Sequence, residues 1–345
     1  MVSTRLDRIK KLALVMALIV GVMVVGLFGN QSSRALAQDA QPQTYMIQAG
    51  SFGLSNVEYI AFAPNSLKIH QGDTVMWHFN SFHNVHFEDK AAELIIAPVV
   101  DGNPLPQVNP AVAFPTIKSG DTYKGGEANT GLPIDPSAPL SFSMVIDLPP
   151  GNYIYYCDVH PGMVGSLEVV ANDVAVPSPI EALQAAADEV SAQLNQAGST
   201  VEPNELTTLP ATPTDGKLTI DAGTGKYGRI SIQAFSAPLA VVNVGDSVTW
   251  TIPTDSVEPH TVTSTNFVGD EFVPQPQPNG PPVVALGAVF APSASTSIGA
   301  ADNFNSGFLT PGQSYSVTFT EPGVHSYVCR LHDGMFGVVV VQPKA

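Results

Sequence analysis

Short runs of apolar residues, bounded by turn residues, recur along most of this chain. The runs Thr74–Phe79 and Ser247–Ile252 each follow a Gly-Asp turn and carry β-branched and aromatic residues. Tyr153–Cys157 and Val324–Cys329 each follow a Pro-Gly turn. Runs of this composition between turn signals predict β-strands.

The chain contains two copies of one pattern. Gly72-Asp73-x-Val75-x-Trp77 matches Gly245-Asp246-x-Val248-x-Trp250 at an offset of 173 residues, and Cys157 matches Cys329 at an offset of 172. Identities in one register indicate an internal duplication. Each copy holds roughly 125 residues of evenly spaced strands, which predicts an all-β sandwich or Greek-key barrel. The middle of each copy, 90–140 and 269–310, is rich in Pro, Gly and small polar residues and predicts long loops.

The predicted organisation has four parts, which are an export segment at 1–37, a first domain at 44–172, a linker with a helix at 173–216 and a second domain at 217–345. In the linker, Ser178-Pro179 predicts the helix start, since Pro suits the first helical position. Gly198 predicts its end. Apolar residues at alternating three- and four-residue spacing form one stripe: Ile180, Leu183, Ala187, Val190, Leu194 and Ala197. We expect this stripe to dock on a domain, and self-association is the alternative.

The N-terminal segment has the features of an export signal. A basic leader, Arg5–Lys11, precedes the uncharged apolar run Leu12–Gly29 and a small-x-small site at Ala35-Leu36-Ala37. The expected location is the periplasm or the extracellular face of a membrane. An apolar run of about 18 residues is just able to cross a bilayer. Retention as an N-terminal membrane anchor is therefore the alternative to cleavage.

Charge and composition exclude several classes of protein. Lys and Arg total 14 against 30 Asp and Glu, a formal charge of −16, which argues against nucleic-acid binding because phosphate contacts need clustered basic residues. With 29 Gly, 30 Pro and 13% charged residues, the composition argues against a helical bundle or a coiled coil. Two cysteines are too few for a four-cysteine metal site. One disulfide between Cys157 and Cys329 is the alternative to metal binding in an oxidising compartment.

Three residue types that bind soft metals recur with one spacing, C-x2-H-x2-M: Cys157, His160 and Met163, then Cys329, His332 and Met335. Thiolate, imidazole and thioether on one tight loop favour copper, with Met as a long axial ligand. His83 and His260, at matching places after the Trp strands, would complete the two sets. His86 is the rival first ligand in the first copy. A second metal site made by His78, His83 and His86 is a further alternative.

These motifs resemble those of the cupredoxin family, which includes plastocyanin, pseudoazurin and amicyanin. The resemblance covers nearly all of both copies except the middle stretches, and the short ligand loop is most similar to that of amicyanin. It implies two tandem Greek-key β-sandwiches, each with one type 1 (blue) copper ion near one end. It also implies that His160 and His332 lie near the surface as ports for electrons, within small apolar docking patches.

The leading functional hypothesis is electron transfer, with each copper ion cycling between Cu(I) and Cu(II). The acidic surface predicts redox partners with basic docking surfaces. The first alternative is an enzyme similar to two-domain multicopper oxidases or nitrite reductases, which need further copper. The chain has no His-x-His pair to bind it. The second alternative is copper storage or delivery.

Overall fold

The computed structural model describes residues 41–52, 56–87, 96–97, 107–134, 139–200, 210–227, 229–276 and 283–344. The predicted export segment 1–37 lies outside the described residues. Residues 40–345 form one compact unit, and both sequence copies belong to it. Within the described ranges, no helix is both long and apolar enough to cross a membrane.

Short strands make up most of both copies. The first copy contains β1 (Thr44–Phe52), β2 (Val57–Ala63), β3 (Ser66–His70), β4 (Thr74–Phe79), β5 (His86–Phe87), β6 (Ile96–Ala97), β7 (Gln107–Val108), β8 (Thr122–Tyr123), β9 (Ala128–Asn129), β10 (Ser141–Ile146), β11 (Gly151–Tyr156) and β12 (Val164–Val170). The second copy contains β13 (Lys217–Tyr227), β14 (Ile230–Phe235), β15 (Leu239–Asn243), β16 (Ser247–Thr251), β17 (Thr263–Ser264), β18 (Phe272–Gln275), β19 (Val283–Leu286), β20 (Ser297–Ile298), β21 (Ser314–Phe319), β22 (Gly323–Val328) and β23 (Phe336–Gln342).

Each copy folds as two sheets packed face to face. In the first copy the strand orders are β2-β1-β4-β10-β8 and β3-β12-β11-β5-β9. In the second copy they are β14-β13-β16-β21-β20 and β15-β23-β22-β17, so equivalent strands occupy equivalent places. Chain crossovers between sheets bring non-consecutive strands together, such as the parallel pairs β1·β4 and β3·β12. The prediction of an all-β protein with two tandem sandwich domains is confirmed.

Matching aromatic residues fill the two cores. Trp77 and Trp250 are fully buried, and each meets a tyrosine ring edge-on, Tyr155 and Tyr327 respectively. Such edge-to-face pairs add stability beyond the area they bury. These tyrosines lie on β11 and β22, the strands that lead into the two cysteines, so the core fixes the position at which each cysteine leaves its sheet.

The described parts of the two middle stretches are more ordered than the sequence predicts. The first contains helix α1 (Pro110–Ala113) and the second a 3-10 helix (Ala288–Phe290). The buried amide of Asn129 donates to Ala111 O at 2.5 Å, and that of Asn305 donates to Val289 O at 2.9 Å. These amides satisfy backbone carbonyls, so the predicted long loops or insertions contain short, hydrogen-bonded elements in their described parts.

Helix α2 (Pro179–Thr200) begins where Pro179 predicts and runs past Gly198. It docks on β1 and β2, as expected, but through a different face. Ala182 and Ala186 are buried, whereas Ile180 is 73% exposed. Small alanines allow close approach to the sheet, and this approach turns the first residues of the predicted stripe toward solvent. The prediction that the apolar stripe forms the contact is therefore wrong for the first turns of the helix. It is correct for Val190 and Leu194, which pack against the sheet.

Equivalent strands of the two copies pair with each other. Strand β2 runs antiparallel to β14, with Glu58 opposite Ser231, and these residues are related by the 173-residue offset of the repeat. Likewise β7 pairs with β19 at Gln107 and Ala285. Contacts between equivalent patches are typical of a two-fold relationship. The two domains therefore face each other across a local two-fold axis that passes beside Glu58.

Candidate metal centres

The ligand loops have the same backbone geometry in both domains. After β11, Cys157 N donates to Met163 O at 3.0 Å, and Met163 N donates to His160 O at 3.0 Å. After β22, Cys329 N donates to Met335 O at 3.0 Å, which closes the equivalent loop. These bonds bring residues six apart to the same end of the sandwich. The spacing C-x2-H-x2-M is thus the length needed to close this turn.

Site 1 is a buried cluster in the first domain. Cys157 Sγ lies 3.6 Å from His83 Nδ1 and 3.5 Å from His160 Nδ1. Cys157 and His83 are completely shielded from solvent, and His160 is 7% exposed. Met163 is 1% exposed and belongs to the same hydrophobic core as Cys157.

Site 2 repeats this arrangement in the second domain. Cys329 Sγ lies 3.8 Å from His260 Nδ1 and 3.5 Å from His332 Nδ1. The two histidine Nδ1 atoms are 3.0 Å apart. Met335 is 1% exposed and packs in the core that contains Cys329. Among the described residues, groups of three or more His, Cys, Asp or Glu side chains whose ligand atoms lie within 4.8 Å of one another occur at these two places.

The donor atoms have the separations that a single metal ion requires. Metal–nitrogen and metal–sulfur bonds of about 2.0 and 2.3 Å place two donors roughly 3.5–3.8 Å apart at trigonal or tetrahedral angles. The Sγ–Nδ1 distances of 3.5–3.8 Å lie in this range. Thiolate with two imidazoles is a donor set that favours copper. Both sites therefore fit one ion each.

Two glycines make room for the first histidine of each set. Gly50 has φ +73°, and a Cβ there would lie 2.3 Å from His83 Nε2. Gly223 has φ +74°, and a Cβ there would lie 2.0 Å from His260 Nε2. Any larger residue would displace the ring. Gly50 and Gly223 close equivalent Ile-x-Ala-Gly segments, Ile47–Gly50 and Ile220–Gly223, which are related by the 173-residue offset of the repeat and are thus part of both sites.

Comparison with known proteins decides the family. A family model described as copper binding proteins, plastocyanin/azurin family, matches residues 51–170 and 226–342. The chain belongs to this family. The family binds copper, and the two clusters fit two copper ions, one in each domain.

Individual relatives match about one domain at a time. A plastocyanin from Synechococcus sp. (strain JA-2-3B'a(2-13)) is 28% identical over 166 residues, which is 47% of this chain and 93% of that protein. An oxidised amicyanin variant of known structure is 22% identical and covers 38% of this chain and 86% of its own, with a TM-score of 0.23. A purple cupredoxin from Nitrosopumilus maritimus is 25% identical and covers 36% of this chain and 99% of its own, with a TM-score of 0.22.

Buried carboxylates orient the cupredoxin histidines, and sequence reasoning missed them. Glu58 Oε1 lies 3.1 Å from His83 Nε2, and Glu258 Oε1 lies 3.1 Å from His332 Nε2. A carboxylate accepts hydrogen bonds, so each of these histidines carries its proton on Nε2 and leaves Nδ1 free for a metal. Both carboxylates are at most 2% exposed. In the second copy, a Glu two residues before His260 could have predicted a carboxylate near the site. In the first copy, Ser81 holds that place before His83, so the sequence offered no such signal.

The buried side chains ionise one another when no metal is bound. Burial opposes charge on the Cys157 thiol, but hydrogen bonds from His160 and His83 outweigh burial and lower its pKa to about 5. Burial likewise opposes charge on His160, yet the bond to Cys157 raises its pKa to about 10. Burial opposes charge on Glu258 too, and the neighbouring His332 holds the pKa of that carboxyl well below its usual range. Each site is thus ready to present a thiolate to a cation.

The second histidine of each set faces the other domain. His160 Nε2 lies 3.7 Å from Glu258 Oε1, the same oxygen that contacts His332. The His160 side chain is 9% exposed and that of His332 is 11% exposed. The other domain therefore covers most of the face on which each histidine lies, and both histidines line a cleft beside the domain contact. Their role as ports for electrons stays a prediction.

The remaining sequence alternatives have clear outcomes. His86 Nδ1 bonds Asp158 Oδ2 at 2.9 Å, so His86 points away from the thiol, and His83 takes the ligand position. His78 Nδ1 bonds Ser141 Oγ at 3.0 Å and joins no cluster with His83. Cys157 and Cys329 are both free. The disulfide alternative is therefore contradicted by the structure.

Proposed function

We propose that this protein is an exported electron carrier with one type 1 copper ion in each domain. The repeated buried Cys/His/His cluster, with a Met on the same loop, is the observation that carries this proposal. We assign the ligands as two equivalent sets: His83, Cys157, His160 and Met163, then His260, Cys329, His332 and Met335. The bound ions would supply the Cu(II)/Cu(I) couple.

The protein residues would hold these ligands still during electron transfer. Cys157 and Cys329 follow central strands whose backbones are fixed by hydrogen bonds on both sides. Glu58 holds the proton on His83 Nε2, so that this imidazole keeps one orientation. Burial keeps bulk water away from the thiolates. A rigid, dry donor set changes little between oxidation states, which favours fast one-electron transfer.

Export and partner choice are proposed from the sequence. The basic and apolar N-terminal segment supports export, with cleavage or membrane anchoring as its two outcomes. The net charge of −16 supports partners with basic docking surfaces, and partner exchange rates should therefore fall as ionic strength rises.

Copper quantitation combined with redox cycling tests the proposal against an enzyme. A carrier binds about two copper ions per chain, and both are reduced and reoxidised reversibly by one electron each. Three or more ions per chain, or turnover of nitrite or dioxygen without a partner, would instead support the multicopper enzymes. Rapid loss of copper to a chelator would support storage or delivery.

A further inference from the structure

Glu258 lies where the two candidate sites meet. Its carboxylate oxygen Oε1 is 3.1 Å from His332 Nε2 in its own domain and 3.7 Å from His160 Nε2 in the other domain. The side chain is 3% exposed. Thus one atom contacts the outer nitrogen of a ligand histidine from each site. No other carboxylate among the described residues contacts histidines of both sites.

A buried polar network holds this carboxylate in place. Gln233 Nε2 lies 3.4 Å from Glu258 Oε2 and donates to Glu58 Oε2 at 2.7 Å. Glu58 in turn contacts His83 of site 1. Gln233 is 3% exposed and lies on β14, the strand that joins the domains. Glu258 itself lies in the connection between β16 and β17, and two residues of the interface strands, Gln233 and Glu58, anchor it there.

We propose that Glu258 joins the two copper sites into one coupled pair that exchanges an electron through His160, Glu258 and His332. This proposal rests on the proposed function. The exchange moves one electron from a reduced ion at one site to an oxidised ion at the other, and it makes or breaks no covalent bond. A path with one bridging atom, hydrogen-bonded to His332 at 3.1 Å and in ion-pair contact with His160 at 3.7 Å, couples the two imidazoles far better than separated domains would.

The bridge explains why the second domain covers His160. Through Glu258, site 2 of the same chain lies next to His160. A cleft of about 420 Å³ lies beside the bridge, lined by His160, His332 and Glu258. The rings of Phe82 and Phe272 stack with their centroids 5.6 Å apart and line the same cleft.

The test measures electron exchange inside the copper-loaded chain. Single-site variants C157S and C329S first provide the spectrum and potential of each site alone. A short pulse of reductant then reduces part of the wild-type sites, and absorbance follows their re-equilibration. We expect a first-order rate that does not change with protein concentration. A rate proportional to protein concentration would mean exchange between molecules and would overturn the proposal.

Substitutions at Glu258 test whether the electron passes through this residue. Glu258→Gln should slow the internal exchange about tenfold or more while both sites keep their copper spectra. Glu258→Asp keeps the charge but is too short to contact both histidines, so it should also slow exchange. Asp333→Asn is the matched control, because Asp333 lines the same cleft and is exposed. If Glu258→Gln and Glu258→Asp exchange as fast as wild type, or if they change only the site 2 potential, the proposal is wrong.

The outcomes separate the two proposals. If wild-type protein binds copper without the type 1 spectrum, the proposed function fails before the bridge is tested. If both spectra are present and the Glu258 variants exchange normally, only the bridge fails. Reciprocal shifts give a second readout, since the potential of each site should depend on the oxidation state of the other by the same amount. This dependence should shrink in Glu258→Gln.

Discussion

The two copper sites of this chain have the same inner donors but different surroundings at their first histidines. In site 1, His83 Nε2 contacts both Glu58 Oε1 at 3.1 Å and Ser81 Oγ at 2.8 Å. In site 2, His260 Nε2 is buried and has no hydrogen-bond partner among the described residues. The position equivalent to Glu58 in the repeat is Ser231. Duplication preserved the ligands, while the residues behind them diverged.

The two thiolates also differ in the hydrogen bonds and charges around them. The backbone N–H of Thr261 donates to Cys329 Sγ at 3.4 Å, and within the described structure Cys157 Sγ receives no backbone hydrogen bond. The residue after Cys157 is Asp158, whereas Arg330 follows Cys329. Nearby negative charge, and a thiolate sulfur that accepts no backbone hydrogen bond, stabilise the oxidised copper ion. A backbone hydrogen bond donated to the sulfur stabilises the reduced ion. Site 1 should therefore have the lower potential.

The largest expected effect comes from removing one thiolate. Cys157→Ser should abolish the intense visible band of site 1 and leave that of site 2, so roughly half the absorbance remains. Cys329→Ser should leave the other half, because each cysteine serves its own cluster. Absorption spectra of both copper-loaded variants check this. Unchanged absorbance in either variant would remove that site from the account.

The next largest effect comes from the two glycines beside the histidines. Gly50→Ala should displace His83 and Gly223→Ala should displace His260, each with loss of copper affinity at one site. Overpacking of this kind costs about 1–3 kcal/mol of unfolding free energy. Gly72→Ala is the control, because Gly72 also has positive φ but nothing lies within 4 Å of its Cβ position. Equal losses in Gly72→Ala would mean that backbone strain, and not the histidine contact, is responsible.

Removing the Glu58 charge should affect site 1 more than site 2, because Glu58 contacts His83 directly and reaches site 2 only through Gln233 and Glu258. Glu58→Gln should weaken Cu(II) binding there about 10–100-fold, since carboxylate partners raise the basicity of ligand histidines. A tenfold preference for the reduced ion raises a one-electron potential by about 59 mV. Copper titration and potentiometry of the C329S background measure this without interference. A site 1 potential that falls or stays fixed would contradict the comparison.

Much of this fold and its sites is predictable from sequence because the chain is duplicated. The shared register of Trp77 and Trp250, and of Cys157 and Cys329, identifies both domains and their ligand loops. The helix start at Pro179 is a local signal and is also correct. These features depend on short segments whose partners lie in the same domain.

Contacts between domains are not predictable in this way. The burial of His160 depends on Glu258, which lies 98 positions away and approaches through a strand pairing that sequence spacing does not encode. The exposed side of helix α2 likewise depends on how closely Ala182 approaches the sheet. The burial of His160 escapes prediction because an expectation for a single domain omits the surface that the second domain covers. The exposed side of helix α2 escapes it because the spacing of apolar residues does not show how closely a helix approaches its sheet.

The last prediction concerns the pH dependence of the stability of the copper-free protein. The Cys157 pKa falls from 9.0 to about 5 on folding, so the stability it contributes is present above pH 9 and is lost as pH falls toward 5. The His160 pKa rises from 6.5 to about 10, so its contribution is present below pH 6.5 and is lost as pH rises toward 10. Together they give a plateau between about pH 6.5 and 9.

Urea unfolding of copper-free protein across this pH range measures the plateau. The difference between wild type and Cys157→Ser isolates the contribution of this pair from that of all other groups. The difference should be largest on the plateau and decrease on both sides. A difference that rises steadily with pH would mean that His160 does not share the charge of the thiolate.

A copper titration followed by absorption and EPR tests the central claim most directly, namely that each domain holds one copper ion in a Cys/His/His/Met set. The intense thiolate-to-copper band should increase until about two ions are bound per chain, with both ions giving type 1 EPR signals. A colourless protein at saturation, or one blue centre with the second ion in a non-blue environment, would contradict it.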